Sequence, residues 1–198
     1  MTPSNFTVLI VLGKSGSGKG TQVEKLAEQY GLKIISSGSL LRARAEEKDF
    51  VGNRIAGILD KGGLIPTPII FHLWLHELEK IREAENGVKG LIFEGSPRKL
   101  YEAYLLDETL WFYNLEKNMR VVHLDITDEE AVKRLLARKR YDDTEAAIRE
   151  RLQWYKAEVV PAIEYYREKG KLIEIKGEQS IEAVHQEIME KLKDFLEQ

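Results

Sequence analysis

Ten consecutive residues, GKSGSGKGTQ at positions 13–22, hold the densest chemistry in the chain. Gly13, Gly16 and Gly18 free the backbone for positive φ and let N–H groups approach an anion with no Cβ in the way. Lys19 adds a mobile positive charge suited to the outer phosphates of a polyphosphate, and Thr21 adds a hydroxyl. A helix opening near Lys19 would point its positive end at the same anion. The usual phosphate-binding loop has Ser or Thr directly after the lysine, whereas here Gly20 intervenes. A structural turn can also be rich in glycine, so the flanks decide. The β-branched run Val8, Leu9, Ile10, Val11, Leu12 precedes the loop, and Val23, Leu26, Ala27 and Tyr30 follow it at helical spacing. Strand, turn and helix are the context in which such a loop holds phosphate.

The elements that must position this loop are legible from hydrophobic periodicity. Apolar runs at 7–12, 32–36, 90–94, 120–125 and 171–176 read as five strands, separated by segments with helical spacing such as Ile181, Val184, Ile188, Leu192 and Phe195. That alternation predicts an α/β protein, a doubly wound three-layer sandwich with a parallel sheet and ligands at the carboxyl ends of its strands. Residues 37–85 are too long for one crossover and read as helices near 38–48, 52–60 and 68–85, joined through GGLIPTP at 62–68. Thr67 and Pro68 suit an N-cap and first-turn pair, and Asp128 suits the cap of a helix with Glu130 in its first turn. A helical insertion at the ligand edge is a candidate substrate subdomain or lid.

Composition sets the limits. At 198 residues the chain fits one domain, and 43% hydrophobic with 32% charged residues is ordinary for a soluble protein. A net charge of −3 gives no global attraction to nucleic acid or anionic membrane, so an anion site must be a local cluster of cations. With no cysteine, disulfides, thiolate metal sites and a cysteine nucleophile are excluded. The opening MTPSNFTVLIVLG has no basic n-region and no apolar run reaches spanning length, so a cytoplasmic protein is expected.

Taken together, GKSGSGKGTQ (13–22), SSGSLLR (36–42), GGLIP (62–66), EGSPRKLYEA (94–103), RLLARKRYDD (134–143) and RERL (149–152) resemble the adenylate kinases of the nucleoside monophosphate kinase family in order and spacing. The resemblance covers nearly the whole chain. It implies a P-loop NTPase-type sandwich with a five-stranded parallel sheet, divided into a core (1–36, 86–137, 145–198), a monophosphate-binding insertion (37–67) and a minimal lid (138–144). The activity it implies is reversible phosphoryl transfer from Mg-ATP to AMP by a monomer. Position by position, Gly16, Ser17, Gly18, Lys19, Gly20 and Thr21 would cradle ATP, with Arg134 against its base. Ser37, Arg42, Ile65, Gly95, Arg98, Glu102, Arg140 and Arg151 would receive AMP. Lys19, Arg98, Arg138, Arg140 and Arg151 would act on the transferring phosphoryl group, and Glu94 would reach magnesium through water. Physical chemistry agrees that two repelling polyphosphates need gathered cations, and that arginine's planar fork suits phosphate. Arginines such as Arg134 and Arg138, a turn apart, are otherwise ordinary helix-surface residues.

Five departures from the family pattern bear on function. Arg138 and Arg140 are separated only by Lys139, where relatives carry a longer and sometimes zinc-bearing loop; zinc through cysteine is impossible here. Glu94 replaces an aspartate, and Ser39 and Ser96 replace Asp and Phe. Glu102 replaces a glutamine that reads adenine; a carboxylate only accepts hydrogen bonds and would suit guanine's donors. A kinase for GMP, UMP or CMP is therefore an alternative, and a non-catalytic nucleotide-binding regulator a remoter one. His72 and His76, four apart on a helix, lack a third ligand and read as packing or surface residues, while Trp74, Trp111 and Trp154 read as packing between layers.

Overall fold

A computed structural model describes residues 6–83, 88–138, 140 and 143–196. Five strands, β1 (Thr7–Gly13), β2 (Leu32–Ser36), β3 (Gly90–Glu94), β4 (Met119–Asp125) and β5 (Leu172–Lys176), form one sheet in the order β2-β3-β1-β4-β5, with every pairing parallel. Among the described residues the helices are α1 (Lys19–Tyr30), α2 (Ser37–Glu46), α3 (Phe50–Leu59), α4 (Thr67–Glu83), α5 (Leu100–Phe112), α6 (Asp128–Arg138), α7 (Glu145–Trp154), α8 (Val160–Glu168) and α9 (Ile181–Leu196). A π-helical turn at Tyr155–Val159 joins α7 to α8.

The central strand shows why the sequence runs apolar without a break. Val8, Ile10 and Leu12 of β1 enter one core, and Leu9 and Val11 enter the other. A parallel strand covered on both faces needs apolar side chains at every position. The first core is closed by Trp74 and Leu78 of α4, Leu106 and Leu110 of α5, and Ile163 and Tyr166 of α8. The second is closed by Val23 and Leu26 of α1 and by Val184, Ile188 and Leu192 of α9. These are the three layers that the alternating pattern predicts.

Between β2 and α4, α2 and α3 form the helical insertion. Ser36 caps α2, its Oγ accepting from the Ser39 N–H at 3.4 Å, and Asp49 caps α3 by accepting from the Gly52 N–H at 2.7 Å. The helices expected near 38–48, 52–60 and 68–85 are thus found at 37–46, 50–59 and 67–83; residues 84–85 lie outside the described residues. Two capping expectations need correction. Thr67 lies inside α4, whose start is closed by the Pro66 carbonyl, and its hydroxyl donates to Glu102 at 3.2 Å. The cap of α6 is Thr127, whose Oγ1 accepts from the Glu130 N–H at 3.2 Å. Asp128 instead bridges Lys14 at 3.0 Å and Lys156 at 2.6 Å.

The tryptophans divide three ways. Trp74 is core, but Trp111 is 68% exposed on the outside of α5, and Trp154 turns toward the cleft described below. Packing therefore holds for Trp74 and in part for Trp154, which also lies against the first core, and not for Trp111. His72 and His76 are exposed with rings stacked 6.4 Å apart, and no group of three metal-ligating side chains gathers among the described residues. No helix among the described residues is long and apolar enough to cross a membrane.

Candidate active site

The carboxyl ends of β1 and β3 open into a cleft of about 520 Å³, and the glycine loop forms its floor. Gly13 is the pivot. Its φ is +145°, and a Cβ there would lie 2.5 Å from the Leu124 carbonyl oxygen, so only glycine lets β1 turn off against β4. Gly16 and Gly18 also take positive φ, at +85° and +91°. Gly18 caps α1 with no side-chain bond, which leaves the first N–H groups of that helix facing the cleft for an anion. Ser17 is buried within the loop, and its hydroxyl has no hydrogen-bond partner among the described residues.

The two lysines of the loop do different work. Lys14 anchors the loop to its neighbours through the Ile126 carbonyl and Asp128. The Lys19 ammonium folds over the loop, donating to the Gly13 and Lys14 carbonyls at 2.8 and 2.7 Å. Burial lowers the Lys19 pKa to about 8; Glu94 pulls it upward, and the positive charges of Arg98 and Arg138 push it further down. An ammonium held among cations with its own solvation reduced is poised for a polyanion.

Facing the loop, the end of β3 presents Glu94, Gly95 and Arg98. Glu94 Oε2 accepts from the Ser36 hydroxyl at 2.5 Å, which ties β3 to the start of the insertion. Arg98 Nε donates to the Gly95 carbonyl at 2.8 Å, and the Arg98 N–H donates to Glu102 Oε2 at 2.7 Å. Burial depresses the Arg98 pKa against the opposing pull of Glu94 and Glu102, with Arg151 and Arg42 adding to the depression. Arg42 reaches the same cleft from α2, hydrogen-bonded to Ser39 Oγ at 3.4 Å.

On the far wall stand α6 and the segment after it. Arg134 is fastened by Glu130 at 2.7 Å and by the Gly177 carbonyl at 3.1 Å, and it lines the cleft together with Arg138 and Arg140. Asp143 grips Arg138 through two bonds of 2.8 Å and Arg151 through one of 2.7 Å. Burial pushes the Asp143 carboxyl up, but hydrogen bonds from Arg138 and Arg151 outweigh it and hold the pKa below the ordinary carboxylate value. Lys139, Tyr141 and Asp142, part of the segment expected as a lid, lie outside the described residues.

Most of the residues singled out from sequence converge here. Gly16, Gly18, Lys19, Gly20, Thr21, Arg42, Glu94, Gly95, Arg98, Arg134, Arg138 and Arg140 line one cleft. Arg151 stands behind it, joined through Asp143. Ile65 and Glu102 line a separate small cavity with Leu41, Ile70 and Arg98. Glu102 is buried there with both oxygens engaged, accepting from the Arg98 N–H and the Thr67 hydroxyl. Ser37 is displaced from its expected place. It is fully buried, meets Ser96 through its hydroxyl and accepts from Trp74 Nε1 at 2.9 Å, while Ser36 and Ser39 on either side face the cleft.

Sequence reasoning missed Asp143, Trp154 and Tyr155 as parts of this site. Trp154 and Tyr155 follow Arg151 by three and four residues, a spacing that puts all three on one helix face, and this was the available signal. Tyr155 is held by His123: the Glu174 carboxylate accepts from His123 Nδ1 at 2.8 Å, leaving Nε2 to accept the Tyr155 hydroxyl at 2.8 Å. Burial raises the Tyr155 pKa, so the ring is a neutral wall of the cleft.

Such a loop at the end of a central parallel strand, faced by arginines from other elements, defines a class: P-loop enzymes that bring two phosphate-bearing substrates together and move a phosphoryl group between them. Comparison with known proteins narrows the class. The adenylate kinase family model matches residues 11–171. The chain is similar to "Adenylate kinase 1" of Nostoc sp., 39% identical over 183 residues covering 92% of this chain and 97% of that protein. It is also similar to "Adenylate kinase 1" of Synechocystis sp., 41% identical across 89% of this chain and 91% of that protein. An adenylate kinase of Archaeoglobus fulgidus is 33% identical across 93% of this chain and 99% of that protein. The chain belongs to the adenylate kinase family. It is a phosphotransferase acting between ATP and AMP.

Proposed function

We propose that the glycine loop holds the phosphates of ATP while AMP enters from the insertion side, and that the γ-phosphoryl group passes between them beside Lys19. The observation that carries this reading is geometric: Glu94, Arg98 and Arg138, from different elements, line the same cleft as the Lys19 ammonium. Their shared centre is where a transferring phosphoryl group needs charge around it. An oxygen of the AMP phosphate attacks the γ-phosphorus in line, the bond to the β–γ bridging oxygen breaks, and two ADP result.

Each residue then has a task that its position supports. Loop N–H groups from Gly16 to Thr21 bind donor phosphates, and Lys19 exchanges its carbonyl partners for phosphate oxygens. Arg134 stands at the side of the cleft where the ATP base would lie. Arg42 and Arg98 hold the acceptor phosphate from two directions, Gly95 lets it approach, and Ile65 walls the acceptor base. Arg138, Arg140 and Arg151 close on the phosphates as Asp143 releases them. The insertion at 37–67 is the acceptor-binding unit that rotates in closure, and 138–144 is a minimal lid.

Magnesium fits this set as a companion of ATP. Glu94, a carboxylate lining the cleft, is fixed by Ser36 and interacts with the lysine of the loop, which suits an anchor for metal-bound water. Bound there with the phosphates, the ion would supply further neutralisation of the phosphate charge.

The acceptor base is read as adenine. Glu102 is occupied with the Arg98 N–H and Thr67, so its carboxylate is accounted for without donors from a guanine. Inhibition by a compound joining two adenosines through a polyphosphate tests the convergence of the two sites. It should compete with ATP and with AMP alike. Competition with only one of them would show that the two nucleotides do not meet at Lys19.

A further inference from the structure

We infer that Trp154 is a positioning residue for the acceptor phosphate, fastening the hinge of the insertion and the Arg98 guanidinium to one indole. This rests on the reading of Arg98 as an acceptor-phosphate ligand. Trp154 is half-buried on the cleft wall at the end of α7. Its Nε1–H donates to the Gly62 carbonyl at 2.7 Å, across 92 residues of sequence. The Arg98 guanidinium carbon stands 5.7 Å from the centre of its ring, within reach of a cation–π attraction.

Gly62 is where the insertion turns back toward the core. With φ at +73°, Gly62 and its neighbour Gly63 close α3 by donating to the Leu59 and Ile58 carbonyls at 2.9 and 3.0 Å. The turn presses on α7, since a Cβ on Gly62 would lie 2.8 Å from Ala147 Cα. The hinge therefore meets α7 at two places two turns apart, Ala147 by close backbone approach and Trp154 by hydrogen bond. Between them on the same helix stands Arg151, bound to Asp143.

One side chain thus reads the hinge through its edge and the arginine through its face. When the hinge shifts, the indole shifts with it, and so does the preferred place of the Arg98 fork. A planar guanidinium gains affinity for phosphate only when both N–H vectors are aimed, so a fixed ring near it raises the fraction of competent orientations. The donor loop makes no such contact. Trp154 should accordingly govern AMP and leave ATP alone.

The test is a set of Michaelis constants for three variants of the full chain. Trp154→Leu removes both contacts and should raise KM for AMP about three- to tenfold, with KM for ATP changed less than about twofold. Trp154→Phe keeps a ring by Arg98 and should recover part of the loss, while Trp154→Gln keeps a donor for Gly62 and should recover less. Equal rises in both KM values, or an unchanged KM for AMP in Trp154→Leu, would overturn the inference while leaving Arg98 as an acceptor ligand. Absence of any AMP turnover by the wild-type protein would overturn the reading beneath it, and the inference with it. Should the leucine variant fail to fold, the wild-type protein labelled with fluorotryptophan decides. The Trp154 signal, assigned by its loss in Trp154→Phe, should shift on adding AMP while that of exposed Trp111 stays. A Trp154 signal indifferent to AMP would overturn the inference.

Discussion

In the proposed function, the donor and acceptor halves of the cleft would bind the same chemical group with different parts of the polypeptide. On the donor side the ligands would be backbone N–H groups and Lys19, which is held by two carbonyls of its own loop, Gly13 and Lys14. What would hold the donor phosphates lies within ten consecutive residues. On the acceptor side the ligands would be arginine side chains from α2 and from the end of β3. They are held by a web that spans the chain: Glu94 with Ser36, Glu102 with Thr67 and Arg98, Trp154 with Gly62 and Arg98. A backbone site is fixed once the loop closes, and Lys19 is the side chain through which it can be changed. A side-chain site is adjustable, since each arginine has several supports.

That contrast is broken hardest at Lys19, which has no substitute on its side. Lys19→Ala should lower kcat about a hundredfold or more with the fold intact, because a positioned cation on transferring phosphate is worth several kcal/mol in such a site. Steady-state rates with a thermal melt as control would measure it. A variant that turns over at the wild-type rate would remove Lys19 from the chemistry.

The same residue sets a pH dependence for the donor side. In the free protein the Lys19 pKa is lowered to about 8, so the ammonium that binds phosphate is present below that pH and lost above it. kcat/KM for ATP should be level at lower pH and fall about tenfold per unit as pH rises beyond about 8, since this ratio reports groups of the free enzyme. The inflection should be missing from the profile of Lys19→Ala. An inflection that persists in that variant would belong to another group.

On the acceptor side Glu102→Gln should be the mildest change. A glutamine oxygen can accept from the Arg98 N–H as Glu102 does, and its amide can donate to the Thr67 hydroxyl, which is able to accept. KM for AMP should change less than about threefold, well under the cost of losing a buried hydrogen bond. A change of tenfold or more would mean that the carboxylate faces the base directly.

The same contrast explains what the sequence could and could not disclose. The donor loop, the five strands and the three helices of 37–83 follow from local pattern, and the structure places them within a few residues of expectation. Local pattern failed where partners are distant. Ser37 fits the motif, yet Trp74 and Ser96 draw it into the core, and Ser36 and Ser39 flank the cleft instead. Asp128 looks like a cap, but Lys14 and Lys156 claim its carboxylate and Thr127 takes the cap. Trp154 packs against the core as read, but the fold also brings Gly62 and Arg98 beside it, which no local pattern shows. At Ser37 and Asp128 a long-range polar contact outweighed a local preference.

The claim that unites these observations is that a donor site built from backbone serves an acceptor site tuned to AMP. Initial rates at saturating Mg-ATP, with AMP, GMP, UMP and CMP offered in turn, test it most directly. ADP should form fastest with AMP, by a wide margin over the other three. A preference for GMP, or no turnover with any of the four, would contradict the account.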